Sequence, residues 1–149
     1  MKRRTALMAF PAVFLPGTAT HAQFTAQVTP QGRRRVGILT ASTNDAFVIG
    51  IKKALRREGL EDGRNIEILV RDGQGQQALI DKAAQELVAA NVEVIVAWAT
   101  GAAQAAGRAT SRIPIVAQVA DAVGAGIVGS LARPEGNITG ISSLSFDLA

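Results

Sequence analysis

The chain contains no cysteine and no tyrosine, and it has only five phenylalanines and one tryptophan among 149 residues. Without cysteine there is no disulfide framework, no thiolate nucleophile and no attachment point for a lipid. The single histidine, His21, lies in a segment that we predict to be removed as a leader. The mature chain then lacks the groups that most acid–base, nucleophilic and soft-metal chemistry needs. We therefore expect a protein that is not an enzyme and that has no cofactor and no metal.

The chain is also poor in net charge once its first residues are set aside. It has 16 basic and 12 acidic residues, but Lys2, Arg3 and Arg4 supply three of the basic ones, so 13 remain against 12. This balance leaves no basic surface of the kind that binds nucleic acid. The length of 149 residues and the hydrophobic fraction of 48% are typical of a single globular domain.

Residues 1–22 have the pattern of a secretory signal peptide. The basic start is followed by an apolar stretch from Ala6 to Leu15, a break at Pro16 and small residues up to Ala22, after which we predict cleavage. The alternative is an N-terminal membrane helix, which needs about 20 apolar residues, whereas this run is shorter and contains Pro11. We expect a periplasmic protein without stable membrane insertion after cleavage, exported by either the Sec or the twin-arginine route.

Behind a polar linker at residues 23–34, apolar stretches of strand length alternate with stretches of helical periodicity. Strands are predicted to begin near residues 35, 65, 92, 114 and 137. Helices are predicted at 45–58, 76–90 and 100–110, with a further short helix at 126–132. This alternation predicts an α/β fold, a doubly wound parallel sheet of about five strands with right-handed crossovers.

Ligands of an open parallel sheet bind where the carboxyl ends of the strands lead into helix N-termini. The predicted loops at that edge carry hydroxyls, small residues and one carboxylate, which suit a small polar solute. Hydroxyls there can bind a ligand carboxylate, or they can simply cap helices. The lone carboxylate can pair with a ligand ammonium or cap a turn, and the tryptophan can line the cleft or fill the core. The candidate ligand-binding residues are Ser42, Thr43, Asn44, Trp98, Thr100, Gly101, Ala102 and Asp121.

A glycine-rich segment supports a different interpretation. Residues 73–78, GQGQQA, match the G-x-G-x-x-A form of the dinucleotide fingerprint. They follow the second predicted strand instead of the first, and the next strand ends in Ala97-Trp98-Ala99, without an acid for a ribose. A Rossmann-type nucleotide-binding domain or enzyme fragment is the alternative function. The ligand-sensing domain of a transcription regulator is a third, and the leader argues against it.

Several segments together resemble a known family. They are VGILT at 36–40, GRNI at 63–66, VIVA at 94–97, and above all DAVGAG at 121–126 and SLARPEGNITG at 130–140. In these segments the stretch 36–142 resembles the ABC transporter substrate-binding proteins related to tryptophan- and tyrosine-binding periplasmic proteins. The family usually has proline after the aspartate, where this chain has Ala122.

The resemblance implies a periplasmic-binding-protein-like fold (type I) of two lobes. Residues 35–149 correspond to the N-terminal lobe alone, and the second lobe is absent from this sequence. It implies capture of a small solute, such as an aromatic or other amino acid, and delivery to the membrane permease of an ABC-type importer. Because one lobe offers only half of a cleft, we expect the chain by itself to bind solute weakly or not at all.

Overall fold

The computed structural model describes residues 32–130, 132 and 136–143. The predicted signal peptide with its cleavage site, residues 23–31 of the linker and residues 131 and 133–135 lie outside the described residues. The described chain forms eight elements: β1 (Arg34–Thr40), α1 (Asp45–Arg57), β2 (Ile66–Asp72), α2 (Gln77–Ala89), β3 (Val94–Trp98), α3 (Thr100–Ala109), β4 (Ile115–Val119) and β5 (Ile138–Ser142).

The five strands form one parallel sheet in the order β2-β1-β3-β4-β5. The predicted parallel α/β sheet is confirmed, and each predicted strand start lies within two residues of the observed one. Because all strands run the same way, every strand-to-helix loop leaves from one edge, the carboxyl edge. The loops that return to the strands lie at the opposite edge, the amino edge.

One face of the sheet, the back face, is covered by α2 and α3. Four alanines of α3 are almost fully buried and allow a close approach to the sheet. Gly37 of β1 likewise allows α2 to approach the sheet closely, since a Cβ there would lie 3.1 Å from Leu87 Cδ1. The back-face core contains large side chains with no exposed surface, among them Leu39, Leu87, Ile95 and Ile115.

On the opposite face, the front face, α1 is the one helix among the residues that the structure describes. The helix begins behind Asn44, whose side-chain oxygen accepts the N–H of Phe47 at 3.0 Å. Its apolar side chains are half-buried against β1 and β2, where Ile38 and Ile66 are buried. Helices on both faces make the sheet doubly wound, as the sequence predicts.

The predicted short helix at 126–132 is wrong for its described part. Residues 122–126 form a turn, and no helix follows in 127–130. Gly126 has φ of +67°, a conformation that ends a helical path, and Gly129 adds further backbone freedom. The buried side chains of Ala122 and Val128 hold this connection against the back-face core without a helix.

Candidate functional site

The order of the strands reverses between β1 and β3. From β1 the chain passes through α1 on the front face to β2, whereas β3 is followed by α3 on the back face. Two neighbouring loops therefore diverge at the carboxyl edge, residues 41–44 and residue 99. They meet where the N–H of Ala41 donates to the carbonyl of Trp98 at 3.3 Å. Such a divergence opens the crevice in which open α/β sheets bind their ligands.

An aromatic pair stands at this crevice. The rings of Phe47 and Trp98 have centroids 6.2 Å apart and are tilted by 36°, within the range of favourable aromatic contacts. Both residues are half-buried, so part of the surface of the pair remains exposed. Trp98 is one of the candidate residues predicted from the sequence, whereas Phe47 is not among them.

A depression of about 240 Å³ lies beside the tryptophan at the carboxyl edge. It contains two of the predicted residues, Trp98 and Thr100, and two that the sequence analysis missed, Gln118 and Ser143. Gln118 is the one polar residue within the strand β4, and that interruption is the signal that could have identified it. The complete lining is Trp98, Ala99, Thr100, Gln118, Val119, Ala120 and Ser143.

The backbone at the floor of the depression is strained. Ala99 has φ of 76° and ψ of 156°, a combination that is favourable only for glycine. Its N–H donates to the carbonyl of Gln118 at 2.9 Å, and its own carbonyl accepts the N–H of Ala103 at 3.1 Å. This conformation starts α3 at Thr100, so the first N–H groups of the helix point towards the carboxyl edge.

Two further predicted residues belong to that helix N-terminus. Ala102 has a fully buried side chain that packs in the back-face core, so only its backbone N–H can serve the site. Gly101 is half-buried, and a Cβ there would meet only ordinary van der Waals contacts. The glycine is therefore not required by local packing. Together with Thr100, the N–H groups offer a partial positive charge to an anionic group of a solute.

The three predicted residues after β1 have different roles. Asn44 is the N-cap of α1, and Ser42 is exposed. Thr43 Oγ1 donates to Asp72 Oδ2 at 2.6 Å and thereby joins the loops after β1 and β2. That hydroxyl, followed by the N–H of Gln74, lowers the pKa of the Asp72 carboxyl below its ordinary value. The carboxylate therefore adds a fixed negative charge beside the crevice.

Asp121 lies in the loop after β4 and caps its own turn. Its Oδ1 accepts the N–H of Gly124 at 2.7 Å, and the residue is half-buried and does not line the depression. The neighbouring Ala122 donates its N–H to Ser142 Oγ at 3.3 Å, a bond that a proline could not form. Alanine at this position therefore ties the β4 loop to the end of β5.

The glycine-rich segment after β2 has structural reasons for its glycines. Gly73 is buried, and a Cβ there would overlap the side chain and backbone of Ile80 in α2. Gly75 adopts φ of +72° in the turn, where glycine is favoured. The close packing of α2 explains Gly73, and the turn explains Gly75. Nucleotide binding is therefore not needed to explain the glycines of this motif.

Two classes of feature are absent from the described part of the chain. Residues 32–130, 132 and 136–143 contain no group of three or more histidine, cysteine, aspartate or glutamate side chains arranged to hold a metal ion. Over the same residues, no helix combines the length and apolar character needed to cross a membrane. The described residues of the carboxyl edge offer hydroxyls, backbone N–H groups, amides, the carboxylates of Asp72 and Asp121, and an aromatic pair.

Comparison with known proteins adds the family context. Residues 36–147 match the model of a family described as ABC transporter substrate binding protein. A tyrosine-binding protein of Clostridioides difficile is 41% identical over 100 residues, which cover 66% of this chain and 29% of the relative.

Two solved structures share the fold. A conserved domain protein from Vibrio cholerae matches with a TM-score of 0.73 and 37% identity over 76% of this chain and 40% of the other. An ABC domain from Streptococcus pneumonia in complex with L-Trp matches with a TM-score of 0.68 and 30% identity over 74% of this chain and 38% of the other. The chain thus spans less than half the length of each of these relatives.

Proposed function

The chain belongs to the ABC transporter substrate-binding protein family, and from this premise we propose that it is the N-terminal lobe of the solute-binding component of an ABC-type importer. The crevice at the carboxyl edge contacts the solute, and a membrane permease receives it. The single observation that carries this proposal is the reversal of strand order between β1 and β3, which places the aromatic pair and the N-terminus of α3 at one opening.

The proposed solute is an aromatic or other amino acid. The exposed part of the Trp98–Phe47 pair suits an aromatic ring. The hydroxyl of Thr100 and the free N–H groups at the start of α3 suit a carboxylate. Asp72, ionised and held by Thr43, suits an ammonium group near the same opening. The names of two relatives, a tyrosine-binding protein and a complex with L-Trp, agree with this chemistry.

We further propose that residues 1–22 direct the protein to the periplasm and are removed after Ala22. A separate proposal is that Asp121 contributes to the solute site through the loop that it caps. The family to which the chain belongs supports the first point, because its members capture solutes for ABC transporters. A single lobe covers only one side of a solute, so solute remains in contact with water on the other side. Binding by this chain alone is therefore weak.

The test uses Trp98, which is the only tryptophan of the chain and therefore its own reporter. L-tyrosine is titrated while Trp98 fluorescence is excited at wavelengths that tyrosine does not absorb. We expect saturable quenching with a dissociation constant of about 1 mM or weaker. Thr100→Val, which removes the hydroxyl at nearly constant volume, weakens binding several-fold. Thr139→Val on the exposed strand β5 is the matched control and leaves binding unchanged.

Two results would contradict the proposal in different ways. Micromolar affinity of this chain for a free amino acid would show that one lobe suffices to enclose the solute. Equal weakening by Thr100→Val and Thr139→Val would place the solute away from the N-terminus of α3. A response to another class of small solute, with the same dependence on Thr100, would retain the site and change only its ligand.

A further inference from the structure

The depression at the carboxyl edge opens on the side of Trp98 that faces β4. Phe47 approaches the tryptophan from the other side, because α1 packs on β1 and β2, and it is not part of the lining. Beyond Thr100, the lining residues come from β4 and from the chain after β4 and β5: Gln118, Val119, Ala120 and Ser143. An aromatic ring that packs on Trp98 within the depression therefore lies beside the end of β4.

Gln118 is the direct neighbour of Trp98 on that side. The two residues are paired in register between β3 and β4, so their Cα atoms lie about 5 Å apart. Side chains alternate between the two faces along a strand. Ala97 of β3 and Ala117 and Val119 of β4 are buried in the back-face core, so Trp98 and Gln118 both belong to the front face. Their side chains thus stand next to each other on one surface.

The polar side chains of the lining differ in whether the protein already uses them. Ser143 Oγ donates to the carbonyl of Val119 at 3.3 Å. The hydroxyl of Thr100 and the carboxamide of Gln118 form no hydrogen bond with another of the residues that the structure describes. Gln118 is exposed and Thr100 is half-buried. Both groups can therefore bond to a solute without breaking a contact within the described chain.

The charged ends of an amino acid have better partners at this site than Gln118. The N-terminus of α3, with Thr100, offers a carboxylate a partial positive charge that a carboxamide lacks. The carboxylate of Asp72 offers an ammonium group a negative charge. Gln118 is uncharged and lies beside the ring of Trp98. The part of the solute that it meets is therefore the ring that packs on the tryptophan.

From this placement we infer that Gln118 determines which aromatic ring is preferred: its carboxamide hydrogen-bonds to a polar group on the ring and so favours L-tyrosine over L-phenylalanine. A carboxamide both donates and accepts hydrogen bonds, and so does a phenolic hydroxyl, whereas a phenyl ring has no such group. The inference rests on the proposed function, because it takes an aromatic amino acid as the solute. It adds the residue that distinguishes one such solute from another.

The expected preference is modest. In one lobe the carboxamide of Gln118 remains exposed, so a hydrogen bond to the solute replaces one to water. A net gain of this kind corresponds to a preference of about three- to tenfold for L-tyrosine. A site that enclosed the same group would discriminate much more strongly, because the amide would then be left without a partner beside a phenyl ring.

The first test uses the unmodified chain. The isotope-labelled protein is titrated with L-tyrosine and, separately, with L-phenylalanine, while the side-chain amide of Gln118 and the backbone amide of Gly101 are followed by their chemical shifts. We expect both solutes to shift the Gly101 amide, and L-tyrosine to shift the Gln118 side-chain amide several-fold more than L-phenylalanine does. Equal shifts of that side chain, compared at equal shifts of Gly101, would overturn the inference.

The second test is a substitution. Gln118→Met nearly preserves the length of the side chain and removes its donor and acceptor. We expect it to lower the affinity for L-tyrosine to that for L-phenylalanine and to leave the latter unchanged, which also shows that the variant folds. Gln85→Met, at an exposed position of α2, is the matched control and retains the preference. If Gln118→Met does not fold, the first test decides.

The outcomes separate this inference from the proposed function. Failure of the unmodified chain to bind either amino acid would contradict the proposed function, and the inference with it. Binding of both, with equal losses of affinity in Gln118→Met, would overturn the inference alone and assign the carboxamide to the carboxylate or ammonium group that the two solutes share. An unchanged preference for L-tyrosine in folded Gln118→Met would also overturn the inference alone.

Discussion

The two edges of the sheet use their polar side chains differently. At the amino edge, Arg34 pairs with Glu93 at 2.8 Å and Arg35 with Glu67 at 2.9 Å. Arg35 also donates to the carbonyl of Ala90 at 2.9 Å. The polar side chains of this edge join neighbouring strands and loops to one another.

At the carboxyl edge the loops have no ion pair among the residues that the structure describes. The hydroxyl of Thr100 and the amide of Gln118 lie beside the depression, and the side chain of Ser42 is exposed in the loop after β1. The strained backbone of Ala99 lies at the same edge. The described charged side chains of the amino edge are thus paired with one another, whereas Ser42, Thr100 and Gln118 at the carboxyl edge are at least partly exposed, which agrees with the proposed solute site.

The largest expected effect is at the amino edge. Asn137 Nδ2 donates to the carbonyls of Ile113 at 2.7 Å and Thr110 at 3.0 Å. Asn137→Ala leaves both carbonyls without this donor and is expected to lower the free energy of unfolding by about 2 kcal/mol in urea denaturation. Ser143→Ala at the carboxyl edge, which loses one 3.3 Å bond to Val119, is expected to cost less than about 0.5 kcal/mol. Equal losses of unfolding free energy in the two variants would show that the side chains of the two edges contribute equally to stability.

A smaller effect, of opposite sign, is expected at the strained position. Ala99→Gly places glycine where φ is 76° and is expected to raise the free energy of unfolding by about 1 kcal/mol. Ala103→Gly, inside α3, is the control and is expected to lower it by more than about 1 kcal/mol, because it loses helix propensity and also a buried methyl group. Thermal denaturation measures both. Destabilisation by Ala99→Gly would mean that the backbone there is not strained.

The smallest expected effect is a loss of folding stability at acidic pH. The N–H of Ile68, with help from Lys52, lowers the pKa of Asp62 at the amino edge, and Thr43 and Gln74 lower that of Asp72 at the carboxyl edge. A lowered pKa in the folded state means that each carboxylate stabilises the fold above its unfolded pKa. This stabilisation is lost as the pH falls through the folded pKa.

Salt distinguishes the two carboxylates. The pairing of Asp62 with Lys52 at 3.0 Å is screened by salt, whereas the neutral donors to Asp72 are affected less. Urea denaturation across the acid range is therefore expected to show that Asp62→Asn costs less stability in high salt than in low salt, while the cost of Asp72→Asn stays constant. The same salt dependence for both variants would contradict this assignment of causes.

The elements of the fold were predictable because the sequence alternates apolar runs of strand length with segments of helical periodicity. The connection at 126–130 was not, because apolar residues at helical spacing do not reveal that Gly126 takes a positive φ. Periodicity is local, whereas this loop is fixed by burial of Val128 against residues distant in the chain.

The candidate site was predictable in outline only. Parallel topology places every strand end at one edge, so Trp98 and Thr100 were expected there. Gln118 and Phe47 were missed, because their relation to the crevice depends on which strands are neighbours and on how α1 packs on the front face. The sequence left open whether Asp121 caps a turn or binds a ligand. In the structure its side chain accepts the N–H of Gly124 and so caps the turn.

The proposed solute site lies at the carboxyl edge, where the strand order reverses. Titration of the isotope-labelled chain with L-tyrosine, followed by amide chemical shifts, tests it residue by residue. We expect the largest shifts at residues 41–44 and 98–102, with little change at Arg34, Arg35 and Asn137 on the amino edge. Shifts concentrated at the amino edge, or on the front face around Val116, which is 41% exposed, would contradict this site.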